Sequence, residues 1–251
     1  MPDFRAYAPA ASAAATEIRL DGDESHHLVV VNRCQRGDPV VAFDGRGREW
    51  QCECVDPAKA GTVLRVRSTR QAEALPCAIT LAQALPKGAT MDEIVRQATE
   101  LGAARIVPLL TARTQVHLDG DRAEKKIEKW RTAAIEAAKQ CGNPWVPEIE
   151  PLQRLEALLA AATPDYELKL AASLHPGARL LRGVIDNWRA EHNRPPRRVL
   201  WLVGPEGDFS PAEMAACGAA DVVPVTLGPL VLRCDTAAVA ALSVLGYELR
   251  G

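Results

Sequence analysis

The sequence predicts an α/β protein in which a small all-β region precedes a larger domain built on a mostly parallel sheet with flanking helices. Three observations lead there. Up to about Arg70, short runs rich in β-branched residues are separated by turn chemistry. From Cys77 onward, apolar strand-like runs alternate with stripes of helical period, the pattern that builds parallel sheets. Finally, Val199-Leu-Trp-Leu-Val-Gly-Pro-Glu-Gly-Asp-Phe-Ser-Pro-Ala-Glu213 reads as a buried strand entering a Gly-x-x-Gly turn and then a capped helix.

In the first region, strands are expected at residues 28–31, 39–43, 49–55 and 61–66, with Asp44-Gly-Arg-Gly47 as hairpin turn. Residues 67–76 are polar, lack periodicity and end in proline, so they read as a linker. The domains are therefore 1–72 and 73–251. The second opens with a strand at 78–85. Thr90-x-x-Glu93 then spells a capping box, followed by the stripe Met91, Ile94, Val95, Ala98 and Leu101, and Gly102 suits the residue after a helix end. A strand at 105–110 precedes a helix opening near Asp121, with Ile127, Trp130, Ala134, Ala138 and Cys141 on its buried side. Strands at 168–174, 199–203 and 222–227 and a helix at 237–249 complete the order. Ser210 fits the N-cap of the helix after Gly207, with Pro211 at the first helical position and Glu213 reaching back.

Composition narrows the function. The chain has 251 residues and a net charge of −2, with a pI near 6.2, which does not suggest a globally basic nucleic-acid binder. RNA contact would need local patches such as Arg33 with Arg36, Arg46 with Arg48, Arg65 with Arg67 and Arg70, or Lys125, Lys126, Lys129 and Arg131. No apolar run is long enough to span a bilayer, and the start lacks the layout of a signal peptide, so a cytoplasmic location is expected. Seven cysteines without framework or zinc-ligand spacing read as reduced thiols, and no metal is expected.

Three loops follow buried strands: Leu174-His-Pro-Gly177, Gly204-Pro-Glu-Gly-Asp-Phe209 and Leu227-Gly-Pro-Leu-Val-Leu-Arg-Cys-Asp-Thr236. If the strands are neighbours, their carboxyl ends form one pocket. Backbone-rich walls with few charges suit a neutral or cationic nucleoside better than a triphosphate. The P-loop, the dinucleotide Gly-x-Gly-x-x-Gly between strand and helix, and the Gly-x-Ser-x-Gly elbow are all missing.

Pro86-Lys-Gly-Ala-Thr-Met-Asp-Glu-Ile-Val-Arg-Gln-Ala-Thr-Glu-Leu-Gly102 resembles a signature of the RsmE-type 16S ribosomal RNA (uracil-N3) methyltransferases of the SPOUT superfamily. Gly204 to Glu213 resembles that family's second motif and Leu227 to Ala237 its third. Ser25-His-His-Leu, Arg33, Gly37-Asp38 and Phe43-Asp-Gly45 resemble its N-terminal PUA-like β-barrel. The resemblance implies a PUA-like RNA-binding barrel followed by a SPOUT domain with a C-terminal trefoil knot. It also implies S-adenosyl-L-methionine as cofactor, 16S rRNA in the small ribosomal subunit as partner (uridine 1498 in the family), and a homodimer. Carried over, the cofactor residues are Leu174, His175, Val203, Gly204, Pro205, Glu206, Gly207, Leu227, Gly228, Val231, Leu232 and Thr236. The RNA-contact candidates are Arg5, Arg33, Lys87 and Arg113. Leu230 stands where the family usually has arginine, Cys234-Asp235 replaces Thr-Glu, and Lys139-Gln-Cys-Gly-Asn143 replaces Glu-Gln-Ser-Gly-Arg.

Uridine N3 is a weak nucleophile until its imide proton leaves, so Arg233 is the candidate to stabilise charge growing on O2 and O4, and Glu206 or Asp235 the candidate base. The competing roles are structural: Glu206 accepting N–H groups in its own turn, Asp235 capping the next helix, Arg233 gripping a phosphate. His26, His27, His117 and His192 form no catalytic pattern, and Trp201 reads as packing. The alternatives are a SPOUT methyltransferase acting on another RNA atom or target, and a catalytically idle RNA-binding module.

Overall fold

The computed structural model describes residues 4–116, 118, 120–162, 165–175 and 177–250. His117, one of the histidines considered above, lies outside them. The chain separates into two compact units, one reaching Ala74 and including 135–146, the other comprising 75–134 and 147 onward.

The N-terminal unit holds β1 (Phe4–Tyr7), β2 (Glu17–Arg19), α1 (Gly22–His26), β3 (Pro39–Phe43), β4 (Arg48–Asp56) and β5 (Val63–Gln71). Its five-stranded sheet runs β1-β3-β4-β5-β2. Only the β1–β3 pair is parallel. Ala6, Ile18, Leu28, Val40, Ala42, Trp50, Cys54 and Leu64 fill its core. The hairpin turn forms where the sequence places it, because Asp44 Oδ1 accepts from the N–H groups of Arg46 (2.7 Å) and Arg48 (3.0 Å). Gly47 is left-handed at φ +88°, and a Cβ there would meet the Trp145 ring at 2.3 Å, so both conformation and space demand glycine.

Two expectations fail in this unit. Residues 28–31 are not a strand: a π-type turn covers His27–Val31, with Asn32 N–H donating to the His27 carbonyl at 3.0 Å. Asp21 starts α1 just before, its Oδ1 accepting from Glu24 N–H at 2.8 Å, and the winding continues past it. Residues 67–71 are not linker but the outer half of β5, with Arg48 paired to Gln71. That half is exposed on both faces, so it carries no apolar alternation. Ladder bonds hold it, and Arg70 Nε donates to the fully buried Glu49 carboxylate at 2.6 Å. Nearby, the Lys139 ammonium donates to Glu24 (2.6 Å) and to His27 Nδ1 (3.0 Å) and pairs with Glu136 at 2.7 Å.

The C-terminal unit contains β6 (Ala78–Ala84), α2 (Thr90–Glu100), β7 (Arg105–Leu110) and α3 (Gly120–Cys141), whose residues from Ile135 count with the other unit. Then follow β8 (Glu148–Ile149), β9 (Gln153–Arg154), α4 (Leu155–Ala162), β10 (Leu168–Ala172), β11 (Arg179–Leu180) and α5 (Leu181–His192). The last elements are β12 (Arg198–Val203), α6 (Pro211–Ala219), β13 (Val223–Thr226) and α7 (Cys234–Arg250). The sheet order is β11-β13-β10-β12-β6-β7-β8, with β9 also on β7, and every pairing is parallel.

Ala82, Val107, Leu109, Ala171, Leu200 and Leu202 pack with Leu155, Leu158 and Leu159 of α4 and Cys217 of α6. Alternate residues Ile79, Leu81, Val199 and Trp201 are equally buried and point to the opposite face. α7 packs on β6, β12 and α2, and none of its side chains joins the first cluster, so helices cover both faces. Arg250 ends α7 by donating to the carbonyls of Cys77 (3.0 Å), Leu101 (2.9 Å) and Gly102 (2.9 Å), which satisfies the open end of α2. Gly102 is left-handed at φ +73°, as its position after the helix requires.

Three smaller corrections follow. Thr90 is the first helical residue of α2, not its cap; Ala89 holds that place with no side-chain bond. Cys141 is exposed. α7 begins at Cys234, three residues before the expected Ala237. The buried thiols are pushed up by burial, Cys34 to about 12 and Cys52, Cys77 and Cys217 to about 11, so they stay protonated at neutral pH.

Glu167, just before β10, accepts from Arg194 Nη1 (3.0 Å) and Nη2 (2.9 Å) and from Arg197 N–H (2.6 Å). The Arg194 bonds foremost, then the Arg197 bond, hold its carboxyl at about 2. A depressed carboxyl stabilises the fold above its ordinary range, and that contribution is lost as pH falls toward 2. Glu167→Gln should therefore lower the melting temperature at pH 7, by less than about 1 kcal/mol of stability because the pair faces solvent. The gap to wild type should narrow at pH 3. Thermal melts of both proteins at the two pH values check this; an unchanged gap contradicts it.

Candidate active site

β12 delivers the chain into a turn in which Asp208 N–H donates to the Pro205 carbonyl at 2.9 Å. α6 then starts with a complete capping box: Ser210 Oγ accepts from Glu213 N–H (3.2 Å) and Glu213 Oε2 from Ser210 N–H (2.8 Å), with Pro211 in the first turn. The other Glu213 oxygen accepts from Ala112 N–H at 2.7 Å, tying this turn to the loop after β7. Glu213 is 5% exposed, so its two charge-assisted bonds act away from bulk water.

Because β10 lies between β12 and β13 and all three run parallel, their carboxyl ends are adjacent. Ser173 N–H donates to the Val225 carbonyl at 3.0 Å, and Thr226 Oγ1 donates to the Gly228 carbonyl at 2.8 Å, shaping the first and third loops. Between them lies a cleft of about 280 Å³. Leu174 lines it from the first loop, and Val203, Gly204, Pro205 and Glu206 from the second. Leu227, Val231, Leu232, Arg233 and Asp235 line it from the third. Of the expected cofactor residues, His175, Gly207, Gly228 and Thr236 do not line the cleft, although each adjoins a residue that does or is held by one of its loops. Thr90, Ser173, Asp208, Thr226, Leu230 and Cys234 line it as well; Asp208, Leu230 and Cys234 belong to the expected loops without having been named as cofactor residues, and Thr90, Ser173 and Thr226 lie outside those loops.

Glycine at 204 is a spatial requirement: a Cβ there would meet Asp208 Oδ1 and Phe209 N at 3.1 Å. Glu206 does not bond within its own turn; its Oε1 accepts from Lys87 N–H at 2.9 Å, across from the loop after β6. Asp235 sits inside the first turn of α7, with Oδ1 accepting from Thr236 N–H at 2.9 Å. The Cys234 thiol is raised by burial first and by the Glu206 charge second, so it is a neutral wall atom at physiological pH. Leu230 and Val231 are 75% and 74% exposed at the mouth. Three carboxylates and one guanidinium among mostly apolar and backbone groups fit a nucleoside carrying positive charge and offer no cradle for a polyphosphate.

Of the four basic residues expected at RNA, Lys87 and Arg113 are exposed beside the cleft's second loop, Arg113 donating to the Gly207 carbonyl. Arg33 is exposed in the N-terminal unit with a left-handed φ of +62°. Arg5 is not available in the same way. Its side chain is 9% exposed, bonds the buried Glu49 at 3.0 Å and stacks over the Phe43 ring, so it serves the sheet.

The eight-stranded parallel sheet carries a loop-built cleft at its carboxyl edge and the N-terminal unit a small β-sheet, and the families that match these two parts are those of an RNA methyltransferase carrying a PUA domain. Residues 73–246 match the family described as RNA methyltransferase domain, and residues 20–59 the RNA methyltransferase PUA domain. The ribosomal RNA small subunit methyltransferase E of Bacillus subtilis is 32% identical over 94% of this chain and 93% of its own length. That of Synechocystis is 34% identical over 92% of this chain and 73% of its own. Among solved structures, Lpg2936 of Legionella pneumophila, in complex with the bound cofactor SAM, superposes with a TM-score of 0.87 at 32% identity over 98% of both chains. The Neisseria gonorrhoeae ribosomal RNA small subunit methyltransferase E, bound to S-adenosyl methionine, gives 0.83 at 26% identity over 97% of both. The chain belongs to the ribosomal RNA small subunit methyltransferase E family.

Proposed function

We propose that this protein methylates N3 of a uridine in 16S ribosomal RNA, within the small ribosomal subunit, using S-adenosylmethionine. The observation that carries the reading is the convergence of the loops after β10, β12 and β13 on one cleft. The names of the relatives and the cofactor in the two neighbouring structures support the substrate and the donor.

When bound, the donor supplies an electrophilic methyl on a sulfonium centre. Backbone groups of the Gly204 to Asp208 turn and of residues 227–232 would hold the adenosyl part, and Leu174 and Val231 would shed water from it. Arg233 faces the same space and would stabilise charge on the uracil oxygens as the N3 proton leaves. Glu206 and Asp235 are the cleft carboxylates able to take that proton, each with one oxygen held by a backbone N–H. The base must be swung out of its stack to present N3, because that atom lies on the pairing edge.

In this reading residues 1–72 form the RNA-binding PUA-like barrel and 73–251 the catalytic domain, with Arg33, Lys87 and Arg113 on the RNA. A homodimer is favoured by α7, which leaves the apolar side chains of Val244 and Tyr247 exposed. A C-terminal knot is favoured by the sheet order, in which β13 returns to the far side of β10. No helix among the described residues is long and apolar enough to cross a membrane, consistent with work on ribosomal subunits in the cytoplasm.

Small subunits from a strain lacking this methylation should accept labelled methyl from S-adenosylmethionine in the presence of the protein, and mass mapping should find it on uridine N3. Label on another atom or RNA would assign a different target. Donor binding without any transfer would make the protein an idle RNA-binding module.

A further inference from the structure

We propose that Asp208 is a specificity-determining residue of the cleft, its carboxylate favouring the cationic methyl donor over the neutral demethylated product. The inference rests on the methyl-transfer reading above and adds to it a named residue and a direction of selectivity.

The first observation is conformational. Asp208 has φ +61°, the left-handed region that a side chain enters at a cost and that aspartate and asparagine tolerate best. The side chain explains why the position is held. Oδ1 accepts from Phe209 N–H at 2.7 Å, while Oδ2 accepts from Leu174 N–H at 3.4 Å and lies 3.8 Å from His175 Nε2. Nε2 also lies 3.4 Å from the Phe209 carbonyl. One carboxylate thus joins two of the three loops that build the cleft. The space it uses is open because Gly204 has no Cβ.

A neutral amide would keep the acceptor toward Phe209 N–H but turn an NH2 donor toward Leu174 N–H, so it loses part of the bridge as well as the charge; only the charge distinguishes a cationic ligand from a neutral one. Glu206, Asp208 and Asp235 line the cleft against the single guanidinium of Arg233, an excess of two negative charges. Apolar walls concentrate that field, and the Asp208 side chain is only 20% exposed, so salt screens it incompletely. Transfer changes the ligand's charge in the direction this field senses. The methyl leaves for N3, the electron pair of the broken bond stays on sulfur, and the sulfonium becomes a neutral thioether. The same carboxylate therefore attracts the donor and lets the spent product go.

The test is calorimetric titration of wild type, Asp208→Asn and Asp208→Gly with S-adenosylmethionine and with S-adenosylhomocysteine, at low and high salt. Asparagine keeps the left-handed backbone and one of the two acceptor oxygens, so the charge is read in the donor-to-product ratio; glycine relieves the backbone and removes both charge and bridge. Asp208→Asn should lower the donor-to-product affinity ratio roughly threefold to tenfold, and salt should blunt the difference. Asp208→Gly should weaken both ligands and also lower the donor-to-product ratio. An unchanged ratio in both variants overturns the role of Asp208. A wild type that binds neither ligand overturns the methyl-transfer reading itself, which is a different result.

Discussion

Trp201→Ala should destabilise the C-terminal unit by about 3–5 kcal/mol, the range for emptying a buried tryptophan site. The melting temperature should fall by roughly 6–20 °C. Trp201 sits in the middle of β12, fully buried, paired with Leu170 on one side and Leu81 on the other. Deleting the indole leaves a cavity on the sheet face that α7 covers, and the ladders to β10 and β6 keep the strand from shifting to fill it. The size of the effect is tempered by one feature: Trp201 Nε1 is buried with no hydrogen-bond partner among the described residues. An unpaired buried donor destabilises, so Trp201→Phe removes that penalty while keeping most of the volume. It should cost less than about 1.5 kcal/mol. Thermal melts of both variants test the argument; equal losses would mean that the indole nitrogen, not the ring volume, matters. Since Gly204 follows three residues on, Trp201→Ala should also weaken donor binding, whereas Trp201→Phe should leave it near wild type.

What was legible in the sequence was mostly local in origin. The capping box of Ser210 and Glu213, Gly102 after α2 and the Asp44 turn each depend on residues within a few positions, and all form as read. The misread segments are those where a distant partner decides. Residues 28–31 look like a strand by β-branched content, but α1 feeds them into a helical turn that buries only Leu28 while Val30 and Val31 stay exposed. The end of β5 looks like linker because its partner strand β4, not burial, holds it. Arg5 looks like a free cation until Glu49, 44 positions away, claims it. The cleft follows the same rule. Its glycine turns are visible in the chain, but Ser173 and Thr226 join it only because β10 lies between β12 and β13, and sheet order is not written in any local pattern.

Arg233→Ala should reduce methyl transfer to small subunits by roughly 10²–10³-fold while leaving donor affinity within about threefold. Arg233 is the one guanidinium lining the cleft, on the last residue before α7, with Glu206 and Asp235 lining the same walls. Its charge is surplus to holding a net-cationic donor, and in a cleft with an excess of carboxylates it would even oppose that ligand. It becomes useful when negative charge develops on the uracil oxygens, which happens only as N3 loses its proton. A group whose interaction exists only in the transition state lowers kcat and kcat/KM together when removed. A phosphate grip predicts the other pattern: KM for the subunit rises, kcat holds, and the defect deepens with salt. Arg233→Lys separates the two further, because a lysine keeps the point charge for a phosphate but loses the planar fork that spans a base edge. Single-turnover transfer over a range of subunit and salt concentrations reads the split directly. Transfer at the wild-type rate by Arg233→Ala would remove this residue from the chemistry and leave the carboxylates of the cleft to act without a cationic partner.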